Sequence, residues 1–226
     1  MKLMETHNKR DDAKNRSNVY GLLAAVFRQE VTSDFLLQIK DPQLLGVLSA
    51  LGVELQQNFF DRQEDVLCEE LAIEYARLFL GPGKHISPHE SVHHPRDDGK
   101  WGQLWGAATV EVKKFIKATG LNYDPDYKGI PDHISVELEF MEMLSRREAQ
   151  EWSEGNEEAA LRLLEVELRF VRDYLSCWVP IFCDKVIEAA ELSFYRELAG
   201  LTKRFIEYDL SELSGREALL EKEACV

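Results

Sequence analysis

Positive charge is scarce in this chain. Lys and Arg number 27 against 41 Asp and Glu, a net charge of −14 over 226 residues. That balance excludes broad attachment to a phosphate backbone, which needs clustered cations, and it suits a basic partner. Long apolar runs are missing too. No stretch approaches the roughly 20 apolar residues of a membrane-spanning helix. The opening Met1-Lys2-Leu3-Met4-Glu5 leads into polar residues through Ser17, without the apolar core of a secretory signal. The expected location is therefore cytoplasmic. The four cysteines (Cys68, Cys177, Cys183 and Cys225) form no Cys-x-x-Cys pair, so reduced thiols are expected, the first three acting as small apolar side chains. There is no run of alternating β-branched residues, no Asn-Gly hairpin turn and no internal repeat of fixed period.

What the chain does contain is helical spacing. Residues 1–16 lack it and are expected to be a flexible N-terminal tail. From Val19 the apolar residues step by threes and fours: Leu22, Leu23, Val26, Phe27, then a leucine stripe from Leu44 to Leu55, then Leu67, Leu71, Tyr75, Leu78 and Phe79. Gly81-Pro82-Gly83 stops that helix, and a loop runs to about Gly99. Trp101, Leu104, Trp105, Ala108, Val112, Phe115 and Ile116 predict a further helix ending at Gly120. After a second loop over 121–131, Asp132 is expected to cap a helix carrying Ile134, Leu138, Met141 and Leu144. The clearest stripe is Leu161, Leu164, Leu168, Val171, Leu175 and Trp178. Pro180 is read as a break and Gly200 as the end of the next helix. The charged segment 209–226 is expected to be a C-terminal tail. These features predict an all-α chain of about eight to ten helices, one unit over 17–208, in two groups joined by the 81–99 loop.

Few motifs suggest chemistry. His89-Glu90-Ser91-Val92-His93 matches the zinc-protease pattern H-E-x-x-H, which needs both imidazoles on one helical face and a glutamate to polarise metal-bound water. Pro88 and Pro95 flank it and deny it a long helix. His85, His89, His93 and His94 could form a looser metal site, but nothing fixes their geometry. Gly81-Pro82-Gly83-Lys84 lacks the phosphate-loop spacing, and no nucleophile is paired with a base. The expectation is a non-enzyme without metal or cofactor. Acid concentrates from Asp132 to Glu167, where eleven Asp and Glu face Arg146, Arg147 and Arg162.

Three segments resemble the TorD/DmsD family of redox-enzyme maturation chaperones. Glu74-Tyr75-Ala76-Arg77-Leu78-Phe79-Leu80-Gly81-Pro82, followed by Ser87-Pro88-His89-Glu90-Ser91, is similar to the family's Y-x-x-L-F-x-G-P and its later Glu-Ser. Pro131-Asp132-His133-Ile134-Ser135-Val136-Glu137-Leu138-Glu139-Phe140-Met141 resembles its D-H-[IL]-x-x-E-L-x-F-[ML] signature, and Trp178-Val179-Pro180-Ile181-Phe182 its W-x-P-x-F junction. The resemblance spans about residues 17–200. It departs at His89, where an aromatic ring is common, and at His93-His94, where aromatic or small residues are usual.

The resemblance implies an all-helical chaperone, monomeric or homodimeric, that binds the twin-arginine leader and the apo-form of a molybdopterin enzyme until its cofactor is inserted. An acidic surface draws the leader's basic region, and an aromatic groove takes its apolar stretch. The residues expected to bind it are Asp132, His133, Glu137, Glu90, Ser91, Pro88, Trp101, Trp105, Tyr75 and Phe79. Asp132, with Glu137 and Glu90, is expected to pair the arginines bidentately. For Trp105 alone, core packing is the stronger reading. The alternatives are a metal-dependent hydrolase at His89-Glu90-x-x-His93 and a helical scaffold for a basic protein.

Overall fold

The computed structural model describes residues 2–81, 84–94, 102–123 and 127–224. Among them the chain forms ten α-helices: α1 Lys2–Arg28, α2 Ser33–Ile39, α3 Pro42–Ala50, α4 Gln57–Asp61, α5 Glu64–Tyr75, α6 Ala107–Ala118, α7 Ile134–Glu154, α8 Glu157–Phe170, α9 Ser176–Ala189 and α10 Ser193–Ala224. A π turn, Ala76–Leu80, extends α5, and a second, Val171–Leu175, joins α8 to α9. No strand occurs among the described residues, only an isolated antiparallel bridge between His89 and His133.

Local signals set several boundaries. Thr32 and Asp41 accept backbone N–H bonds at the starts of α2 and α3, and Pro42 fills the first turn of α3. Gly155 ends α7 in the left-handed region at φ 77°, which a side chain would strain. α1 packs most extensively against α7, α7 against α8, and α9 against α10, while α2 lies on α5. One connected core runs through all of them, with Tyr20, Phe27, Leu71, Phe79, Phe182 and Tyr195 near its middle. Phe27 meets the rings of Phe79 and Phe182 edge-on at 6.1 and 5.5 Å.

Four local expectations fail, each because a tertiary partner overrides a local signal. The segment expected as a tail over 1–16 is helical from Lys2, and Ala13 and Arg16 are buried. Arg16 is the reason. Its guanidinium lies 3.0 Å from Glu148 and 2.8 Å from Asp209, pairs with Glu167 and donates to Ser145 at 3.3 Å, so a polar residue anchors α1 to α7, α8 and α10. The expected tail over 209–226 instead continues α10 to Ala224, with Asp209 and Leu213 buried against the bundle.

Pro180 does not break the chain. It sits in the second turn of α9, directly after the π turn, whose wider spacing already interrupts the regular ladder. Gly200 lies inside α10. The break falls at Ala190–Leu192, and Glu74 explains it. Its carboxylate accepts the N–H groups of Glu191 and Leu192 at 2.7 and 3.3 Å, while Arg77 donates to the Ala189 carbonyl at 2.7 Å. Residues of the Glu74–Pro82 motif thereby cap both ends of the α9–α10 joint. Burial alone would raise the Glu74 carboxyl, but Arg77 and the two backbone donors outweigh it and hold it below the usual range.

Two substitutions measure these layers. Leu168 is buried on the 161–178 stripe, and Leu168→Ala should lower the unfolding free energy by about 2–5 kcal/mol in urea titration; a loss inside about 0.5 kcal/mol would mean that the stripe faces solvent. Arg16→Met keeps the length but leaves three buried carboxylates uncompensated, and should cost about 3–5 kcal/mol. Recovery of stability as the pH falls, once those carboxylates protonate, would identify the loss as electrostatic.

Candidate functional site

The loop after α5 returns to the start of α7. The Glu90 N–H donates to the Asp132 carbonyl at 2.9 Å, and the Ile134 N–H donates to the Pro88 carbonyl at 2.9 Å. These two bonds form the His89–His133 bridge, where the imidazole rings meet edge-on at 5.0 Å. Asp132 is not the helix cap. It is fully buried, and its Oδ2 accepts the Ser91 N–H at 2.8 Å, fixing the 3₁₀ turn Glu90–Val92. His133 takes the cap instead, its Nδ1 accepting the Ser135 N–H at 3.2 Å. That bond places the His133 proton on Nε2, and burial pushes the ring down to about 4.

A second layer lies beneath. Glu137 is fully buried and accepts from Trp178 Nε1 at 3.0 Å. Burial, reinforced by the nearby Glu90 and Asp132 carboxylates, raises its carboxyl well above the usual range and favours the protonated form, which can donate to Glu90. Glu90 in turn accepts from His94 Nε2 at 3.0 Å, and that hydrogen bond raises the half-buried imidazole above its ordinary value. A hydrogen-bonded line thus runs from His94 at the surface through Glu90 and Glu137 to Trp178 in the core. Buried oxygens without a hydrogen-bond donor remain along it: Ser91 Oγ, Asp132 Oδ1, Glu90 Oε2 and Glu137 Oε1. A proton on Glu137 would match the two glutamate atoms to one another. The other two stay unmatched, at a cost that buried acceptors rarely carry.

The zinc-protease pattern does not assemble. His93 Nε2 binds the Ser87 carbonyl at 2.8 Å, its Nδ1 meets Lys185 Nζ at 3.3 Å, and its ring stacks on Trp178 at 5.4 Å. Burial takes it down to about 4, and both ring nitrogens are committed. Among the described residues no group of three or more His, Cys, Asp or Glu side chains is placed to hold a metal.

Of the residues expected to bind a leader, the fold brings Pro88, Glu90, Ser91, Asp132, His133 and Glu137 together at this seam. Tyr75 and Phe79 lie elsewhere. Tyr75 donates to the Phe27 carbonyl at 2.9 Å and Phe79 packs among Phe27, Phe182 and Tyr195, so both belong to the core. Trp101 lies outside the described residues. Trp105, expected on a helix and in the core, precedes α6 in a turn with φ 62° and is 62% exposed. Two seam residues carried no leader-binding assignment in the sequence, Trp178 and His94, the latter considered only as part of a looser metal site. The W-x-P-x-F segment was the available signal for Trp178, whereas no spacing rule links His94 to Glu90 outside a regular helix.

The described residues form a helical bundle with a buried acidic seam where the 84–94 loop meets α7. The comparisons give its class. The sequence profile of the nitrate reductase delta subunit family matches residues 40–184, and the chain belongs to that family. It is similar to the chaperone protein TorD of Photobacterium profundum, 26% identical over 90% of this chain and 96% of that one. It is also similar to TorD of Vibrio parahaemolyticus, 26% identical over 89% and 96%. A putative redox enzyme maturation protein from Archaeoglobus fulgidus shares the fold with a TM-score of 0.52 and 25% identity over 85% of this chain and 93% of that one. The chain is a TorD-family chaperone of the redox-enzyme-maturation class, with a non-enzymatic role. Among the described residues no helix is long and apolar enough to cross a membrane.

The proton on Glu137 has a measurable consequence. Its folded-state carboxyl lies above the ordinary 4.5, so the stability it contributes is full below that value and is lost as pH rises toward the folded one. Glu137→Gln mimics the protonated form. The variant should gain stability relative to the native chain progressively above pH 4.5, by about 1 kcal/mol or more at pH 8. Chemical denaturation across this range checks it, and a pH-independent difference would remove the proton from the seam.

Proposed function

We propose that this chaperone binds the basic leader of a molybdenum-enzyme precursor at the seam between the 84–94 loop and the start of α7, in the cytoplasm, before export. The observation that carries this reading is the unmatched acceptor capacity of Asp132 Oδ1 and Ser91 Oγ beside the Glu90–Glu137 pair. An arginine brings five N–H donors in a planar fork and a permanent charge, which is what such a site lacks. The −14 net charge of the whole chain steers a basic segment toward it. Asp132 is fully buried, so the arginine does not meet it on an open surface. Half-buried His94, which covers Glu90, is the residue an incoming guanidinium displaces. The exposed Leu104 and Trp105 precede α6, whose first residues lie beside Ser91, and they offer apolar contact for the rest of the leader.

Asp132→Asn removes the charge and nearly keeps the shape. Isothermal titration with the client's twin-arginine leader peptide should show binding weakened by about 1–3 kcal/mol, the range for losing a charge-assisted hydrogen bond. The melting temperature should stay nearly unchanged, because the Asn oxygen can still accept the Ser91 N–H. Equal affinity of native and variant chains would take Asp132 out of the site. Equal affinity for a scrambled peptide of the same charge would leave only general attraction to an acidic surface.

A further inference from the structure

The two carboxylate oxygens of Glu90 each have a neighbour that can bear a proton. Oε1 accepts from His94 Nε2 at 3.0 Å. Oε2 is buried and is matched when Glu137 carries its proton. An arginine pairs with a carboxylate most strongly through both oxygens, so it gains Glu90 fully as a neighbour withdraws. The two neighbours differ in freedom. Glu137 is fully buried, whereas the His94 side chain is 35% exposed above a Glu90 side chain that is 4% exposed. His94 is the one that can turn into water. Among the described residues, the groups that face it are Glu90 and His93 on its own loop, Asp132 at the start of α7 and Glu111 on α6. Glu137 lies behind Glu90, Lys185 of α9 lies 3.3 Å from His93 Nδ1, and Tyr174 and Cys177 lie within the field of Glu90. Carboxyl groups dominate that set, which suits a cation at the position of His94.

We propose that the seam takes up an arginine in exchange for a proton: the guanidinium replaces the protonated His94 imidazole on Glu90, and the freed imidazole gives its proton to water. The exchange rests on the reading of the seam as the leader site. One unit of positive charge enters as one leaves, so the buried carboxylates are never stripped of their cation. The hydrogen bond to Glu90 holds the His94 ring above its ordinary 6.5 in the free chaperone, and a ring turned into water loses that support. The other seam histidines cannot supply the proton. Burial lowers His89 and takes His93 and His133 down to about 4, so all three are neutral near pH 7. Burial raises Tyr174 and Cys177, which keep their protons there. His94 therefore holds its proton more tightly in the free chaperone than in the complex. By linkage, leader affinity is lowest below about pH 6.5 and rises as the pH climbs through the free-chaperone value, where the competing imidazolium disappears. Acid favours release of the leader.

The probe is a synthetic peptide with two adjacent arginines ahead of an apolar stretch, capped at both ends so that it does not titrate near neutral pH. Calorimetry at pH 7 in buffers of low and high ionisation enthalpy counts the protons released, and should find on the order of half a proton or more per peptide bound. Affinity for the native chain should be at least about threefold tighter at pH 8 than at pH 6. His94→Gln keeps an N–H donor for Glu90 but has no proton to give. It should abolish both the release and the pH dependence, and bind the peptide more tightly than the native chain at pH 6. Glu137→Gln should still release the proton. By NMR, the His94 ring should titrate above 6.5 in the free chain and near 6.5 with saturating peptide. Binding without proton release, and equal at pH 6 and pH 8, would overturn the exchange and leave the leader site standing. Release that survives His94→Gln but not Glu137→Gln would put the proton on Glu137 and overturn it as well. Absence of binding at both pH values would sink the leader reading, and the exchange with it.

Discussion

The bundle depends on one buried guanidinium. Arg16 reaches carboxylates on three other helices, Glu148 on α7, Glu167 on α8 and Asp209 on α10. Taking an arginine and three carboxylates out of water is costly, and the arrangement holds only because further donors share the load. Tyr20 donates to Asp209 at 2.6 Å, Trp152 to Glu148 at 2.9 Å and Ser145 to Glu167 at 3.1 Å. Burial opposes the Arg16 charge, but Asp209 and Glu148 outweigh it and raise its pKa. What the network supplies is register. A slide of α1 by one turn along α7 would move the guanidinium about 5.4 Å from its partners and strand every one of them in an apolar interior. With α1 fixed, Tyr20, Leu23 and Phe27 face the core at the heights where Phe205, Phe79 and Phe182 receive them.

A second polar device works at the other end. Glu74 and Arg77, three residues apart, form an ion pair and then spend their remaining valences on the backbone of the α9–α10 joint. Because Glu74 sits just before the first π turn, the same segment that caps this joint also aims Leu78 and Phe79 into the core and hands the chain on to the 84–94 loop. The loop therefore starts from a point fixed against the C-terminal helices and is pinned to α7 by the Pro88–Ile134 and Glu90–Asp132 bonds. The site's position follows from these anchors together with the loop's own His93, whose ring stacks on Trp178.

These anchors mark the limit of what the residues reveal unaided. The stripe from Leu161 to Trp178 is legible because each member past Leu161 is buried by the same apolar face, and neither the π turn nor Pro180 disturbs the three-four rhythm. The first half of α1 is illegible for the opposite reason. Its anchor is charged, and apolar periodicity is blind to an arginine whose partners lie more than a hundred residues away. The α9–α10 joint is illegible likewise, since the stop lies at Glu191 and Leu192, where Glu74 holds the backbone, and not at Pro180 or Gly200. At the seam, the clustering of Asp132, Glu137, Glu90 and Ser91 could be anticipated from motif resemblance. That Asp132 turns away from its own helix to hold the Ser91 N–H, leaving the cap to His133, is a fact of tertiary geometry. Tyr75 and Phe79 show the converse. Aromatic residues beside a functional loop are first of all core, and their rings are consumed before a ligand can reach them.

The seam's charge state explains how an acidic cluster can stay closed. Three carboxyls, Glu90, Asp132 and Glu137, meet in an interior where three negative charges would repel one another strongly. Burial favours the protonated form of Glu137, His94 caps Glu90, and the backbone N–H of Ser91 serves Asp132. Each device is adjustable. A proton can leave, a half-buried imidazole can swing out, and a 3₁₀ turn held by few bonds can shift. The Arg16 network has less slack, because removing its guanidinium leaves buried carboxylates unpaired. Reversible polar matching is thus confined to the one place where the loop meets α7. A chaperone that must release what it binds needs that division between a fixed frame and a seam whose protons and donors can be exchanged.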